Sequence, residues 1–194
     1  VSISDEGVAS FVKKVSNAYN TVGKPKTLKT SYGPTVTITG GSYGWKVNVE
    51  KEKAAIKSLI QAGETAKREP EYSRKAASHG ENDYGNSYVE VNLTAQHMIL
   101  IKNGSKVLES DFVSGNISKN WTTPPGAFPI TYRTRNATLK GEGYSTPVNY
   151  WMPFNGGIGF HDAPWRSAFG GQIYKTSGSH GCINLPPSVA KQLF

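Results

Sequence analysis

The residue type best suited to covalent chemistry occurs once in this chain, as Cys182. Gly181 precedes it directly, and two histidines, His161 and His180, lie upstream. A thiol becomes a strong nucleophile when it loses its proton, and an imidazole both accepts that proton and stabilises the thiolate. These residue types indicate acyl transfer by a cysteine nucleophile. His161 is the predicted base, and His180 is a pocket residue and the alternative base.

The residues next to Cys182 are typical of a tight turn. Gly181 lets the backbone turn sharply, and such a turn can direct consecutive N–H groups at one point, as an oxyanion hole requires. We therefore expect the backbone N–H groups of Gly181 and Cys182 to face a developing oxyanion. Ser179 is expected to orient the second nitrogen of His161 through its hydroxyl or its backbone. The alternative for Ser179 is an ordinary turn hydroxyl.

Two other interpretations of this cluster remain open from the residues alone. The cysteine and histidines could form a zinc site together with Asp162, but no pair has a common zinc-finger spacing. A buried structural turn would account for each residue singly, although not for their clustering. A single cysteine also excludes an internal disulfide. We expect neither a metal nor a cofactor.

The formal net charge of +8 and the isoelectric point near 9.5 favour anionic partners. Nucleic acid is not expected, because the basic residues are scattered and show no zinc-finger or helix-turn-helix spacing. The longest apolar stretch, 98–101, is far shorter than the roughly 20 residues needed to cross a bilayer. We expect a monomer that contacts a membrane only through an anchor outside these residues.

The elements that must position the cluster differ between the two parts of the chain. Helical spacing of apolar residues predicts one helix from Ser4 to Tyr19 and another from Val49 to Ala62, with Gly63 as its C-cap. Alternation over 35–39 predicts a strand between them. Residues 1–80 therefore form a predicted small α+β accessory domain.

After a polar connection, residues 81–194 form the predicted second, mainly β domain. The strands 96–102 and 106–113 flank Asn103-Gly104, a strong hairpin signal. Short strands separated by Gly and Pro turns favour a sandwich-like fold with antiparallel or mixed sheets. Further strands are predicted at 128–132, 148–152 and 157–160, and a final helix begins at 186–188.

Four sequence segments together resemble the catalytic domain of L,D-transpeptidases of the YkuD type. Segment 179–184 reads Ser-His-Gly-Cys-Ile-Asn and matches the family signature residue for residue, with His161 upstream at the family's separation. The segments 123–130, 151–154 and 159–162 resemble further family motifs, although Phe160 and Asp162 replace the commoner Ile and Gly. The match covers roughly residues 88 to 194. The two-domain layout resembles a Gram-positive, enterococcal-type enzyme.

This resemblance implies an extracytoplasmic enzyme of the bacterial cell wall. Cys182 would attack the bond between the third residue and D-Ala of a peptidoglycan tetrapeptide stem, release D-Ala and form a thioester. An amine of a second stem would then accept the acyl group, giving a 3→3 cross-link. Carbapenems are the implied inhibitors. The resemblance also implies that a last strand of the domain lies beyond Phe194.

Aromatic side chains are expected to line the substrate groove, namely Tyr144, Trp151, Phe154 and Trp165. Asn184 is expected to fix the turn through backbone hydrogen bonds more than to touch substrate. His79 and His97 are interpreted as surface and strand residues without a role.

Two competing functions remain open. A cysteine peptidase would use the same two side chains and accept water in place of the amine. A wall-binding module with a degenerate site would suit the basic charge and the N-terminal domain. The presence of both Cys182 and His161 argues against the module.

Overall fold

The computed structural model describes residues 2–194. Over this range the chain forms four α-helices, eleven β-strands and one 3-10 turn. In chain order these are α1 (Asp5–Tyr19), β1 (Lys26–Lys29), β2 (Thr35–Ile38), β3 (Lys46–Val47), α2 (Val49–Ala62), β4 (Tyr72–Arg74), β5 (Tyr88–Asn92), β6 (His97–Lys102), β7 (Ser105–Asp111), the 3-10 turn (Ile117–Lys119), β8 (Thr134–Gly141), β9 (Tyr144–Asn155), β10 (Ile158–Asp162), α3 (Ile173–Ser177), β11 (Ile183–Leu185) and α4 (Pro187–Leu193).

Two compact units make up the fold. The first combines the residues up to Lys24 with Tyr43–Gly85, and the second combines Pro25–Ser42 with Asn86–Phe194. The hairpin of β1 and β2 therefore belongs to the second unit, whereas the sequence predicts it in the accessory domain.

A buried carboxylate explains why this hairpin joins the second unit. Glu90 on β5 is 6% exposed and accepts hydrogen bonds from Ser31, at 3.1 and 3.2 Å from the backbone N–H and 2.8 Å from the hydroxyl. A buried charge is costly unless it is hydrogen-bonded, so Ser31 and Glu90 stabilise each other's position. Gly41 also forms a parallel bridge with Ala127 of the same unit.

The helices of the first unit follow the predicted boundaries because their caps are encoded locally. Ser4 accepts the Gly7 N–H at 3.0 Å at the start of α1. Asn48 accepts the Lys51 N–H at 3.0 Å at the start of α2, and Gly63 ends that helix in the left-handed conformation. The strands β3 and β4 pair beside them. None of the helices in the described range is long and apolar enough to span a membrane.

The second unit contains the sheets that carry the candidate site. Strands β5, β6 and β7 form an antiparallel sheet, and β6 and β7 turn at Asn103-Gly104 as predicted, both residues having positive φ. The second sheet has the order β11-β10-β9-β8 and is antiparallel except where β10 meets β11. The predicted fold class, an α+β domain followed by a mainly β domain with antiparallel and mixed sheets, is confirmed.

One core joins the two sheets of the second unit to its C-terminal helix. Its buried members come from β6, β9, β10, β11, α4 and the segment after β7: Met98, Phe112, Met152, Phe154, Phe160, Ile183, Leu185 and Ala190. This packing places β10 and β11 between the other elements, so the residues at their ends have a defined position.

The strand predicted at 128–132 does not form. Pro129 has no N–H to donate to a ladder, and the Thr131 N–H donates to the Pro153 carbonyl at 2.9 Å outside any named strand. The strand predicted at 148–152 lies within β9, and the strand predicted at 157–160 overlaps β10, which begins at Ile158.

Candidate functional site

A tight turn holds Cys182 in front of β11. The Ser179 hydroxyl lies inside this turn, where it accepts the Gly181 N–H at 3.0 Å and donates to the Cys182 carbonyl at 2.5 Å. Gly181 has φ +130°, a conformation that residues with a Cβ rarely adopt. The buried Thr123 donates its hydroxyl to the Gly181 carbonyl at 2.6 Å. The backbone around the thiol is therefore fixed by hydrogen bonds on each side.

The segment that follows β7 holds both ends of this turn. The Ser179 N–H donates to the Ser114 carbonyl at 2.9 Å, and the Asn116 N–H donates to the Ser179 carbonyl at 2.9 Å. Beyond the cysteine, Asn184 and Val113 exchange two backbone hydrogen bonds at 2.9 and 3.0 Å. Backbone hydrogen bonds to the segment after β7 therefore fix the chain on both sides of Cys182, at Ser179 and at Asn184.

The Cys182 thiol is partly buried and donates a hydrogen bond to the Gly157 carbonyl oxygen, 3.4 Å from its sulfur. Burial raises the pKa of the thiol to about 11, and a hydrogen bond from the Gly159 backbone acts in the opposite direction. The thiol is therefore protonated at neutral pH in this structure. A reaction through Cys182 requires a base that removes this proton.

The pairing of β10 with β11 places His161 and the cysteine on the same sheet face. His161 lies opposite Asn184 and Phe160 opposite Ile183 in this parallel pair. Extending the register by one residue places Cys182 beside Gly159, on the sheet face that also carries His161, because side chains alternate between faces. No hydrogen bond joins the thiol to His161 within residues 2–194, where the thiol instead donates to Gly157.

The hydrogen bonds of His161 define which of its nitrogens is basic. Nδ1 lies 2.8 Å from the Asp162 carbonyl oxygen, and since a carbonyl only accepts, Nδ1 carries the proton. Nε2 therefore carries the lone pair. The Asn184 amide can form hydrogen bonds with both of its neighbours in one orientation. In that orientation its nitrogen donates to His161 Nε2 at 3.1 Å and its oxygen accepts from Arg166 Nε at 2.8 Å.

The environment of His161 favours its neutral form. Burial lowers the pKa of the imidazole below its ordinary value of 6.5. The carbonyl and carboxylate of Asp162 raise it in part, and the positive charge of Arg166 lowers it. At neutral pH the structure therefore holds a neutral imidazole beside a protonated thiol, which is the state from which a general base can act.

Ser179 and Gly181 do not occupy the roles expected from sequence. Both polar functions of the Ser179 hydroxyl are used within the turn, and His161 is oriented by Asp162 and Asn184 instead. The Gly181 N–H, expected to face an oxyanion, donates to that hydroxyl. The backbone N–H of Cys182 stays the predicted oxyanion donor.

Asn184 and Phe154 also differ from the sequence expectation for substrate-binding residues. Asn184 is 2% exposed and contacts His161 and Arg166, so it positions the imidazole from inside the fold. Phe154 lies in the core, with ring centroids 5.6 Å from Phe128 and 5.2 Å from Phe160. Neither side chain offers surface to a substrate.

The remaining predicted aromatics lie around the two histidines. Trp151, which is buried, and Trp165, which is exposed, have ring centroids 6.0 and 5.9 Å from that of His161. The exposed His180 ring lies between Trp121 at 4.2 Å and Tyr144 at 4.3 Å. His180 is thus a wall residue whose ring faces are covered by aromatic neighbours.

Two contacts that position the residues of the site were not predicted from the sequence. The fully buried Asp162 accepts the backbone N–H groups of Asn149 and Tyr150 through Oδ1, both at 2.8 Å, and so ties β10 to β9. Arg166 reaches His161 only through Asn184. No sequence signal marks either contact, because both depend on strand pairing. Across the described residues, no group of three or more His, Cys, Asp or Glu side chains could hold a metal ion.

Comparison with known families finds two matches on this chain. The family model of the L,D-transpeptidase catalytic domain (YkuD) matches residues 86–194. A second model, described as "Putative peptidoglycan binding domain", matches residues 1–67. A search of curated proteins found no match.

Solved structures similar to this chain cover both of its units. A crystal structure of a cysteine-to-serine mutant of the Enterococcus faecium L,D-transpeptidase is 36% identical with a TM-score of 0.78, over 99% of this chain and 81% of that chain. The Ldtfm-avibactam carbamoyl enzyme is 38% identical with a TM-score of 0.78, over 98% and 76%. The catalytic domain from E. faecium L,D-transpeptidase acylated by ertapenem is 48% identical with a TM-score of 0.51, over 57% and 88%.

Replacing Arg166 with alanine is expected to raise the pKa of His161. The guanidinium repels an imidazolium and keeps the Asn184 oxygen turned away from Nε2, so its loss favours the protonated ring. NMR titration of the imidazole nitrogens would show the midpoint at higher pH than in the wild type, and Arg166→Lys should lie between the two.

Arg135→Ala is the matched control, because that guanidinium packs over Tyr150 at 5.2 Å and has no contact with His161. Its His161 midpoint should equal that of the wild type. An unchanged midpoint in Arg166→Ala would show that the arginine does not act on the imidazole.

Proposed function

Because the chain belongs to the L,D-transpeptidase family, we propose that it cross-links peptidoglycan stems through a cysteine acyl-enzyme. The observation that carries this proposal is the rigid turn that presents Cys182 on the same sheet face as a buried, neutral His161. The substrate is a tetrapeptide stem, and the bond broken joins its third residue to the terminal D-Ala. The product is a 3→3 cross-link.

Acylation begins with attack of Cys182 Sγ on the carbonyl carbon of the third residue. The thiol gives its proton to His161 as the carbon–sulfur bond forms, because burial disfavours a free thiolate before substrate binds. Nε2 is the acceptor, since Nδ1 already carries a proton. The Cys182 backbone N–H is the proposed donor to the oxyanion. Collapse breaks the carbon–nitrogen bond, and the imidazolium returns the proton to D-Ala as it leaves.

Deacylation repeats these steps with a second stem. The acceptor amine attacks the thioester carbon, His161 takes a proton from the amine nitrogen, and the carbon–sulfur bond breaks. The proton then returns to sulfur and restores the resting thiol. The hydrogen bond from the Asn184 amide to Nε2 must break while Nε2 accepts a proton. This hydrogen bond therefore positions the imidazole only between the transfer steps. His180, with Trp121 and Tyr144, forms the proposed wall of the stem site.

The two units of the chain have different proposed roles. Residues from Asn86 onward supply the catalysis, and the first unit binds the polymer, as its family model suggests. The enzyme works as a monomer outside the cytoplasm, at the cell wall. Carbapenems acylate Cys182, by analogy with the ertapenem-acylated relative.

Cys182→Ala is expected to abolish cross-linking, because it removes the nucleophile and leaves the turn intact. Incubation with a disaccharide tetrapeptide and mass spectrometry of the products would show stem dimers and free D-Ala from the wild type alone. Ser110→Ala, which changes a half-buried residue of β7 whose hydroxyl donates to the Asp111 carbonyl, serves as the control and should retain activity. Dimers formed by Cys182→Ala would end the proposal, and shortened stems without dimers from the wild type would indicate a peptidase.

The base is tested by replacing the histidines one at a time. His161→Ala should lower the rate of dimer formation by a factor of at least about 100, as expected for loss of a general base. His180→Ala should lower it by less than about tenfold, since a wall residue contributes only binding contacts. His97→Ala, on β6 beside Asp111, should match the wild type. A larger loss at His180 than at His161 would reverse the assignment.

A further inference from the structure

A cleft of about 430 Å3 lies within the first unit, and its lining includes none of the residues of the candidate site. This volume falls in the range of roughly 300–1,000 Å3 that small-molecule sites occupy. Its walls come from the end of α1, the residue before β3 and the connections on both sides of β4. None of these residues has a role in the chemistry proposed above.

The floor of the cleft is a flat and well-supported aromatic surface. His79 stacks on Trp45 with ring centroids 3.9 Å apart and an interplanar angle of 9°. Trp45 is 9% exposed, and its Nε1 donates to the Ser78 carbonyl at 2.7 Å. Tyr72 supports the indole from another side, with centroids 4.7 Å apart. The buried indole therefore holds His79 in place, and the His79 side chain is 46% exposed.

The rim of the cleft accepts hydrogen bonds and carries negative charge. Glu69 lines it with a 69% exposed side chain, whereas Asp83 in the same lining is 6% exposed and accepts the Thr21 hydroxyl at 2.6 Å. The lining includes neither lysine nor arginine, although the chain has a net charge of +8. A carboxylate has acceptor oxygens only. The exposed Glu69 therefore favours a ligand that brings hydrogen-bond donors and disfavours an anionic one.

We propose that this cleft binds a sugar ring of a neutral glycan. One face of a pyranose presents C–H groups that pack on an aromatic plane, which the His79 ring supplies. Hydroxyl groups around the sugar ring donate to the exposed Glu69 carboxylate. Tyr19, at the end of α1 and 47% exposed, closes the same cleft.

An ammonium group suits this arrangement less well. Cation recognition by aromatic rings uses several ring faces that converge on one point. Here one face of the Trp45 indole is covered by His79, so the stacked pair offers a ligand the His79 face alone, and Tyr19 is the other aromatic residue in the lining. Glu69 also has a partner within the cleft, since its carboxylate lies 3.4 Å from His79 Nε2.

The proposal assigns a role to His79, for which the sequence suggests none. That the sugar belongs to the cell-wall polymer rests on the proposed function, whereas the binding of a neutral sugar does not. In the polymer, the glycan backbone would occupy the first unit while the stems supply donor and acceptor to Cys182.

Calorimetric titration of the whole chain with chitotetraose, a peptide-free oligomer of N-acetylglucosamine, tests this proposal. We expect saturable binding by the wild type and a dissociation constant at least about tenfold higher for His79→Ala. His97→Ala is the matched control and should stay within about twofold of the wild type. Glu69→Gln, an isosteric change of an exposed side chain, should weaken binding by about threefold or more, because a charged acceptor binds more strongly than a neutral one.

Circular dichroism of each variant separates loss of binding from loss of fold. Absence of saturable binding by the folded wild type, or equal binding by a folded His79→Ala, would overturn the proposal. So would displacement of chitotetraose by a lysine-containing stem peptide without sugar, which would assign the cleft to an amine. Cys182→Ala should bind chitotetraose like the wild type while forming no dimers, so the proposed function and this inference fail independently.

Discussion

The Ser179 hydroxyl is the contact on which the geometry of the candidate site depends. It joins the Gly181 N–H to the Cys182 carbonyl inside a turn whose glycine has φ +130°. Burial of Ser179 excludes water that could replace these bonds, and a lost buried partner costs about 1–3 kcal/mol. The parallel pairing of β10 with β11 begins directly after this turn, so the same contact fixes the backbone that leads Cys182 into the strand opposite His161.

This geometry holds Cys182 and His161, the proposed nucleophile and base, in uncharged forms. Burial acts on both groups, raising the pKa of Cys182 to about 11 and lowering that of His161. An ion pair at rest would have to overcome both effects. In the proposed reaction, proton transfer therefore accompanies the attack on the substrate, and the developing oxyanion, not a preformed imidazolium, would provide the electrostatic gain.

Local sequence signals predicted much of the fold, whereas contacts between distant segments could not be predicted from the sequence. The Gly63 C-cap of α2 and the Asn103-Gly104 turn involve neighbours in sequence, and the structure has both of them. The hairpin that joins the second unit depends on Glu90, 59 residues from Ser31. No periodicity reveals such a pair.

The same distinction applies within the site. The segment around Cys182 identified the family, and the family match to residues 86–194 confirms that resemblance. The partners of His161 were missed because Asn184 reaches it only across the β10–β11 register, and Arg166 reaches it only through Asn184. Phe154 was expected in the groove because an aromatic in a strand does not reveal which sheet face is buried.

The covalent intermediate provides the most direct test of cysteine acyl transfer. The wild-type chain would be mixed with a disaccharide tetrapeptide, quenched in acid within the first turnover, and analysed as intact protein and as proteolytic peptides by mass spectrometry. The account predicts a mass gain equal to the substrate minus D-Ala, located on the peptide that contains Cys182. Product formation with no covalent species, or with the added mass on another residue, would contradict it.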